Sequence, residues 1–169
     1  MAGRAPAARS RPARGRRARF AVVAARFNEP IVKHLVDGAL RAFAAGGVEA
    51  GGIDVYWVPG SFELPLAAQH LAASRRYAGI ACVGVIIRGE TPHFEHVARE
   101  AAAGIRSVAL ETGIPVTFGV ITALTEDQAW ARAGGDVANR GSEAAQAALE
   151  MSHFLADEPR ARSGKRTRR

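Results

Sequence analysis

The sequence predicts an α/β fold, a three-layer α/β/α sandwich in which helices cover both faces of a four-stranded parallel sheet. Three observations lead there. Four short apolar runs alternate with four segments of helical spacing, and one more helical segment follows the last run. The runs are apolar at consecutive positions, the pattern of strands buried on both faces. No internal repeat or second-domain boundary interrupts the 169 residues, so the alternation describes a single sheet with right-handed crossovers.

The elements follow in order. Phe20–Ala25 (F-A-V-V-A-A) is a strand ended by Arg26-Phe27-Asn28. Pro30 then opens a helix capped by Asn28 or Glu29, and Val32, Leu35, Val36, Ala39, Leu40 and Phe43 form its apolar face until Gly46-Gly47 stops it. Ile53–Val58 is the second strand, broken by Pro59-Gly60. Ser61 is read as the cap of a second helix running to about Ser74, with Pro65 in its tolerant first turn. Residues 80–87 make the third strand and 92–111 the third helix, with Thr91 as N-cap, Pro92 at the first helical position and Gly113 at the end. Residues 116–122 are the fourth strand. Thr125 with Gln128 is a capping-box pattern for a short helix ending at Gly134-Gly135. The last helix spans about 139–155, with Ala144, Ala148, Met151 and Leu155 on one face.

The formal charge of +7 is unevenly spread. Residues 1–19 hold seven arginines and residues 160–169 six basic residues, with no acid in either stretch, so residues 20–159 keep ten basic against all 16 acidic residues, a net −6. The organisation expected is a basic tail at 1–19, one domain at 20–157 and a second basic tail at 158–169, the tails having too little to bury to fold. Neither tail interleaves aromatics and the domain offers no basic face, which argues against nucleic acid as a partner. The N-terminal stretch has the Arg-rich, acid-poor character of a transit peptide but no apolar secretory core. No apolar run nears the roughly 18–20 residues of a membrane span. The lone cysteine, Cys82, lies in an apolar run and cannot form an internal disulfide, which fits a reducing cytoplasm.

In a parallel sheet, ligands bind beyond the carboxyl ends of the strands. Phe27, the Ser61-Phe62-Glu63 segment, and Gly89 through His93 all follow strands directly. The stretch at 84–97, G-V-I-I-R-G-E-T-P-H-F-E-H-V, carries the most chemistry. Free N–H groups at its helix start favour an anion, and Gly89 admits a ligand close to the backbone. His93 stands in the first helical turn, where the positive pole favours a neutral imidazole able to take and return a proton. The spacing Gly84-x4-Gly89-Glu90-Thr91 resembles a P-loop, but Glu90 stands where the lysine is needed, so a nucleoside triphosphate is not the ligand. His93 and His96 share a helix face without a clear third ligand, so no metal is expected. Phe27 reads equally as core or as a stacking surface. Glu63 either offsets the helix dipole or accepts from a polyhydroxylated ligand. Between Arg132 and Arg140 as an anion partner, residue chemistry alone does not choose.

Five segments together resemble the 6,7-dimethyl-8-ribityllumazine synthase family: R-F-N at 26–28, V-P-G-S-F-E-L-P-L-A-A at 58–68, the stretch at 84–97, G-V-I-T-A-L-T-E-D-Q-A-W-A-R-A-G at 119–134 and N-R-G-S-E-A-A at 139–145. The resemblance covers about residues 20–155. It implies a flavodoxin-like fold and a transferase without metal or organic cofactor, acting in riboflavin biosynthesis. The enzyme would condense 5-amino-6-(D-ribitylamino)uracil with 3,4-dihydroxy-2-butanone 4-phosphate, releasing the lumazine, phosphate and water. By position, the family's pattern makes Phe27 the stacking aromatic. Ser61, Phe62 and Glu63 become the ribityl-holding segment, and Val85, Ile86 and Ile87 the backbone that reads the pyrimidine rim. Glu90 and Thr91 match the phosphate-binding turn, Arg132 the phosphate-binding arginine and His93 the proton-transfer residue. Phe118 matches a pocket residue supplied across a subunit interface.

The implied assembly is a homopentamer, with a sixty-subunit shell of pentamers left open and handover of product to riboflavin synthase as a further partnership. Two departures bear on this. The family's common G-T-K-A-G-N-K-G reads G-G-D-V-A-N-R-G here, placing Asp136, Ala138 and Arg140 at altered positions. Arg140 keeps a lysine's charge but not its reach, and is carried as a further phosphate-binding candidate. The competing reading is a cage-forming scaffold of reduced activity with polyanion-binding tails. The joint presence of Phe27, Glu63, His93 and Arg132 argues against it.

Overall fold

The computed structural model describes residues 18–134 and 137–158. The rest of both basic stretches, with Gly135 and Asp136, lies outside the described residues, and so do the expectations about them. Four strands, β1 (Phe20–Ala25), β2 (Ile53–Val58), β3 (Gly79–Ile87) and β4 (Val116–Ala123), form one sheet of order β2-β1-β3-β4, with every pairing parallel. Helices α1 (Glu29–Ala45), α2 (Leu64–Ala73), α3 (His93–Thr112), α4 (Glu126–Arg132) and α5 (Arg140–Asp157) flank it. This is the flavodoxin-like arrangement, and β1 lies at its centre, buried at all six positions.

Period-two alternation sorts the core into two layers. Val22, Ala24, Val83, Val85 and Ile121 face Leu35 and Phe43 of α1, Ala129 of α4 and Ala144 and Ala148 of α5. Ala21, Val23, Ile80, Cys82 and Val120 face Leu64 and Ala68 of α2 and Ile105 and Val108 of α3. Helix α4 therefore lies on the opposite face of the sheet from α3.

Backbone contact is close where α1 meets α5. A β-carbon on Gly141 would lie 1.9 Å from the Leu35 carbonyl oxygen, and one on Gly38 would meet the Asn139 side chain at 2.1 Å. Asn139 uses all it has there. Its Nδ2 donates to the His34 and Ala133 carbonyls and its Oδ1 accepts from Ser142 N–H, each at 2.9 Å.

Several helix starts differ from the sequence expectation. Asn28 precedes α1, but in the left-handed region at φ 61° and ψ 36°, and its side chain makes no capping bond. Ser61 opens a 3-10 turn (Ser61–Glu63) ahead of α2 and caps nothing. Thr91 is not the cap of α3. Pro92 occupies that position with φ −63°, and the helix opens with the tight bond from Glu95 N–H to the Pro92 carbonyl at 3.0 Å. The residue before a proline avoids helical angles, which leaves Thr91 outside the turn. Thr125 and Asn139 do cap α4 and α5, accepting from Gln128 and Ser142 N–H. Helix α4 stops at Arg132, short of Gly134. Arg19, grouped by composition with the tail, bonds the Gly51 carbonyl at 2.9 Å and Asp54 at 2.7 Å beside the N-terminal end of β2.

Candidate active site

A cleft of about 730 Å³ opens beyond the carboxyl ends of the strands. Three loops shape it. After β1 the chain turns toward β2, with Arg26 N–H bonding the Val58 carbonyl at 2.8 Å and Phe27 N–H the Pro59 carbonyl at 3.1 Å. That turn sets Phe27 on the rim with 71% of its surface exposed. A ring so open contributes little to the core, which sets aside the core reading of Phe27.

After β2, Pro59 and Gly60 break the strand and the 3-10 turn drops Ser61 into the wall. Ser61 is 5% exposed, and its hydroxyl fills the space above Gly84, where a β-carbon would come within 2.5 Å of Oγ. Gly84, part of the apparent P-loop spacing, is therefore a glycine because Ser61 needs the room. Glu63 is half-buried, with its Oε2 turned back over Gly60.

After β3, the chain passes Arg88 and Gly89 into the first turn of α3. Arg88 N–H still bonds the Ala123 carbonyl at 2.9 Å, so β3 and β4 stay joined to the cleft's edge. Pairing of β3 with β1 stops earlier, at Val83 with Ala24. Above that rung β3 has no β1 partner on that side, and Val85, Ile86 and Ile87 line the cleft. The unpaired N–H groups at the start of α3 give this wall a positive end. His93 is the first residue of that helix and is exposed to the cleft.

One cleft thus gathers Phe27, Ser61, Phe62, Glu63, Val85, Ile86, Ile87, Thr91 and His93. Glu90 sits exposed in the turn beside it and is not part of its lining. Three residues lie elsewhere. Phe118 pairs with Cys82, five residues back from Ile87 and roughly 16 Å along the strand, and is 43% exposed. Arg132 is on α4, across the sheet from His93, and its guanidinium donates to its own helix at Gln128 O, 2.9 Å away. Arg140 pairs with Glu143 on α5. Among the described residues the lining contains no lysine or arginine.

Sequence reasoning gave no role to Phe94, Val97 or His96 as cleft-lining side chains. The signal was present for two of them: His96 and Val97 fall three and four residues after His93, on the same side of the helix.

The comparisons with known proteins cover most of the chain. Residues 17–156 match the family model described as 6,7-dimethyl-8-ribityllumazine synthase. Over 137 residues the chain is 47% identical to the protein of that name from Syntrophus aciditrophicus (strain SB), covering 81% of this chain and 89% of the relative. With the parallel sheet, the cleft at its carboxyl edge and the match extending across both, the chain belongs to the 6,7-dimethyl-8-ribityllumazine synthase family.

Proposed function

We propose that this chain condenses 5-amino-6-(D-ribitylamino)uracil with 3,4-dihydroxy-2-butanone 4-phosphate to 6,7-dimethyl-8-ribityllumazine, releasing phosphate and water. The observation that carries the reading is the shared cleft of Phe27, the bare edge of β3 and His93 at the positive end of α3. The pyrimidine stacks on Phe27 and lies along the β3 edge at Val85, Ile86 and Ile87, with its polar rim toward the Ile87 backbone. Ser61, whose hydroxyl has no protein partner among the described residues, and Glu63 take the ribityl hydroxyls. The phosphate lies against the turn of Glu90 and Thr91, held through main-chain N–H groups because the Glu90 carboxylate repels it. The pyrimidine amine attacks the ketone and loses water to a Schiff base. Elimination of phosphate follows, and then ring closure with loss of a second water, with His93 moving the protons. Holding both substrates in one cleft supplies part of the acceleration by proximity.

The cleft of one chain is incomplete on this reading. Arg132 and Phe118 come from a neighbouring subunit of a homopentamer, with Arg140 a further anion contact. Exposed apolar side chains at Phe62, Leu66 and Leu110 suit such an assembly. Among the described residues no helix is long and apolar enough to cross a membrane. We place the enzyme in the cytoplasm, where the buried Cys82 thiol stays free.

The test mixes purified protein with both substrates and follows the lumazine by absorbance and fluorescence. Product must form well above the uncatalysed rate; its absence sinks the proposal. His93→Ala should lower kcat on the order of a hundredfold with an unchanged circular dichroism spectrum.

A further inference from the structure

Asn28 does not line the cleft, yet its geometry is the least ordinary near it. Among the described non-glycine residues only Asn28 and Arg75 have positive φ. A left-handed residue is disfavoured for side chains other than glycine and, to a smaller degree, asparagine or aspartate. The side chain that tolerates this conformation crosses the loop, and Nδ2 donates to the Val85 carbonyl at 3.0 Å. That contact joins residues 57 apart in sequence.

The identity of the accepting group gives the contact its meaning. On β3 the amides of Ile80 and Arg88 both bond toward β4, at the Pro115 and Ala123 carbonyls. Backbone directions alternate along a strand, so Val85 and Ile87 turn their polar groups to the other side. There the rungs to β1 have ended at Val83. Asn28 supplies the missing partner for Val85 with its side chain, one rung past the point where the strand turns away. The Ile87 backbone, two residues on, is left for a ligand. The same residue follows Phe27 directly, so one hydrogen bond fixes the distance between the aromatic rim and the bare strand edge.

We infer that Asn28 is a positioning residue of the pyrimidine slot, holding Phe27 against the β3 edge through its bond to the Val85 carbonyl. This rests on the condensation proposed above. Two variants separate the bond from the backbone conformation. Asn28→Gly accepts the left-handed angle more readily but cannot donate, and Asn28→Asp keeps size and tolerance while turning an acceptor toward the carbonyl.

The experiment varies each substrate in turn for both variants, and measures amide hydrogen exchange of the unliganded proteins. KM for the aminouracil should rise roughly tenfold in both, the loss of about one hydrogen bond, while KM for the butanone phosphate stays unchanged. Exchange at Arg26 and Phe27 should quicken in both. A wild-type aminouracil KM in Asn28→Gly overturns the inference, because conformation alone would then suffice. Two KM values rising together overturn it as well, since that marks general damage to the cleft. If the wild-type protein makes no lumazine, the condensation reading fails by itself. The exchange rates still decide whether Asn28 holds the turn, and unchanged rates at Arg26 and Phe27 reject the inference.

Discussion

Asp54 is the centre of a polar knot at the amino end of the sheet. Its Oδ2 accepts from Tyr77 at 2.6 Å and from Arg19 at 2.7 Å. Tyr56 and Tyr77 hydroxyls are 2.6 Å apart, and because Tyr77 gives its proton to Asp54, Tyr56 is the donor to Tyr77. The Tyr77 hydrogen bond, followed by that of Arg19, holds the Asp54 carboxyl below the usual carboxylate range. Burial, and then the bond to Asp54, pushes the Tyr77 phenol well above its ordinary value. The signs give a stability plateau with two edges. A depressed carboxyl stabilises the fold above its unfolded value of about 4, and the contribution is lost as pH falls through the lower native value. A raised phenol stabilises it below about pH 10 and loses that contribution as pH climbs toward the native value. Asp54→Asn should cost about 1–2 kcal/mol at neutral pH in chemical denaturation. The gap from wild type should narrow below about pH 4. A gap constant down to the acid limit would show that Asp54 is not acting through its charge.

At the scale of elements, the α1–α5 crossing makes a sharp prediction. By helix propensity alone, Gly141→Ala should stabilise α5 by about 1 kcal/mol. The new methyl would instead meet the Leu35 carbonyl oxygen at 1.9 Å, and neither backbone can yield without separating the helices. The expected result is a loss of about 3 kcal/mol in denaturant unfolding. Gly89→Ala, whose added methyl meets nothing within 4 Å, should stay within about 0.5 kcal/mol of wild type. The elements themselves were legible in the sequence. All four strands lie within a residue of where their apolar runs place them, because strands buried on both faces have few other ways to be written. The helix caps divide instructively. Thr125, away from the cleft, caps α4 as its side chain predicts, and Asn139, read only as the start of the last helix, caps α5. Asn28, Ser61 and Thr91 do not: one reaches the Val85 carbonyl, one fills the space above Gly84 and one faces the cleft. Local capping rules give way where side chains are committed to a site. The crossing glycines were unreadable for a related reason, since each answers to a segment about a hundred residues away.

For the whole molecule, the placement of Arg132 is the deciding fact. Residue chemistry could not choose between two arginines, and no sequence pattern could say that α4 packs on the face of the sheet opposite α3. If each working cleft takes His93 from one chain and Arg132 from its neighbour, two defective variants can repair each other. His93→Ala and Arg132→Ala, each nearly inactive alone, should regain measurable turnover after being unfolded together and refolded as mixed oligomers. Refolding each alone should restore nothing. Failure of the mixture, with light scattering showing that mixed oligomers formed, would place both residues in one chain's site.

The Arg19 anchor bears on how the protein could be built upon. It fastens the chain to Gly51 and Asp54 at the amino ends of the strands, whereas the cleft opens at their carboxyl ends. A six-residue strand separates the two by roughly 20 Å. A fluorophore, affinity handle or second enzyme joined ahead of Arg19 would start from the end of the sheet opposite the cleft, leaving the cleft mouth unobstructed.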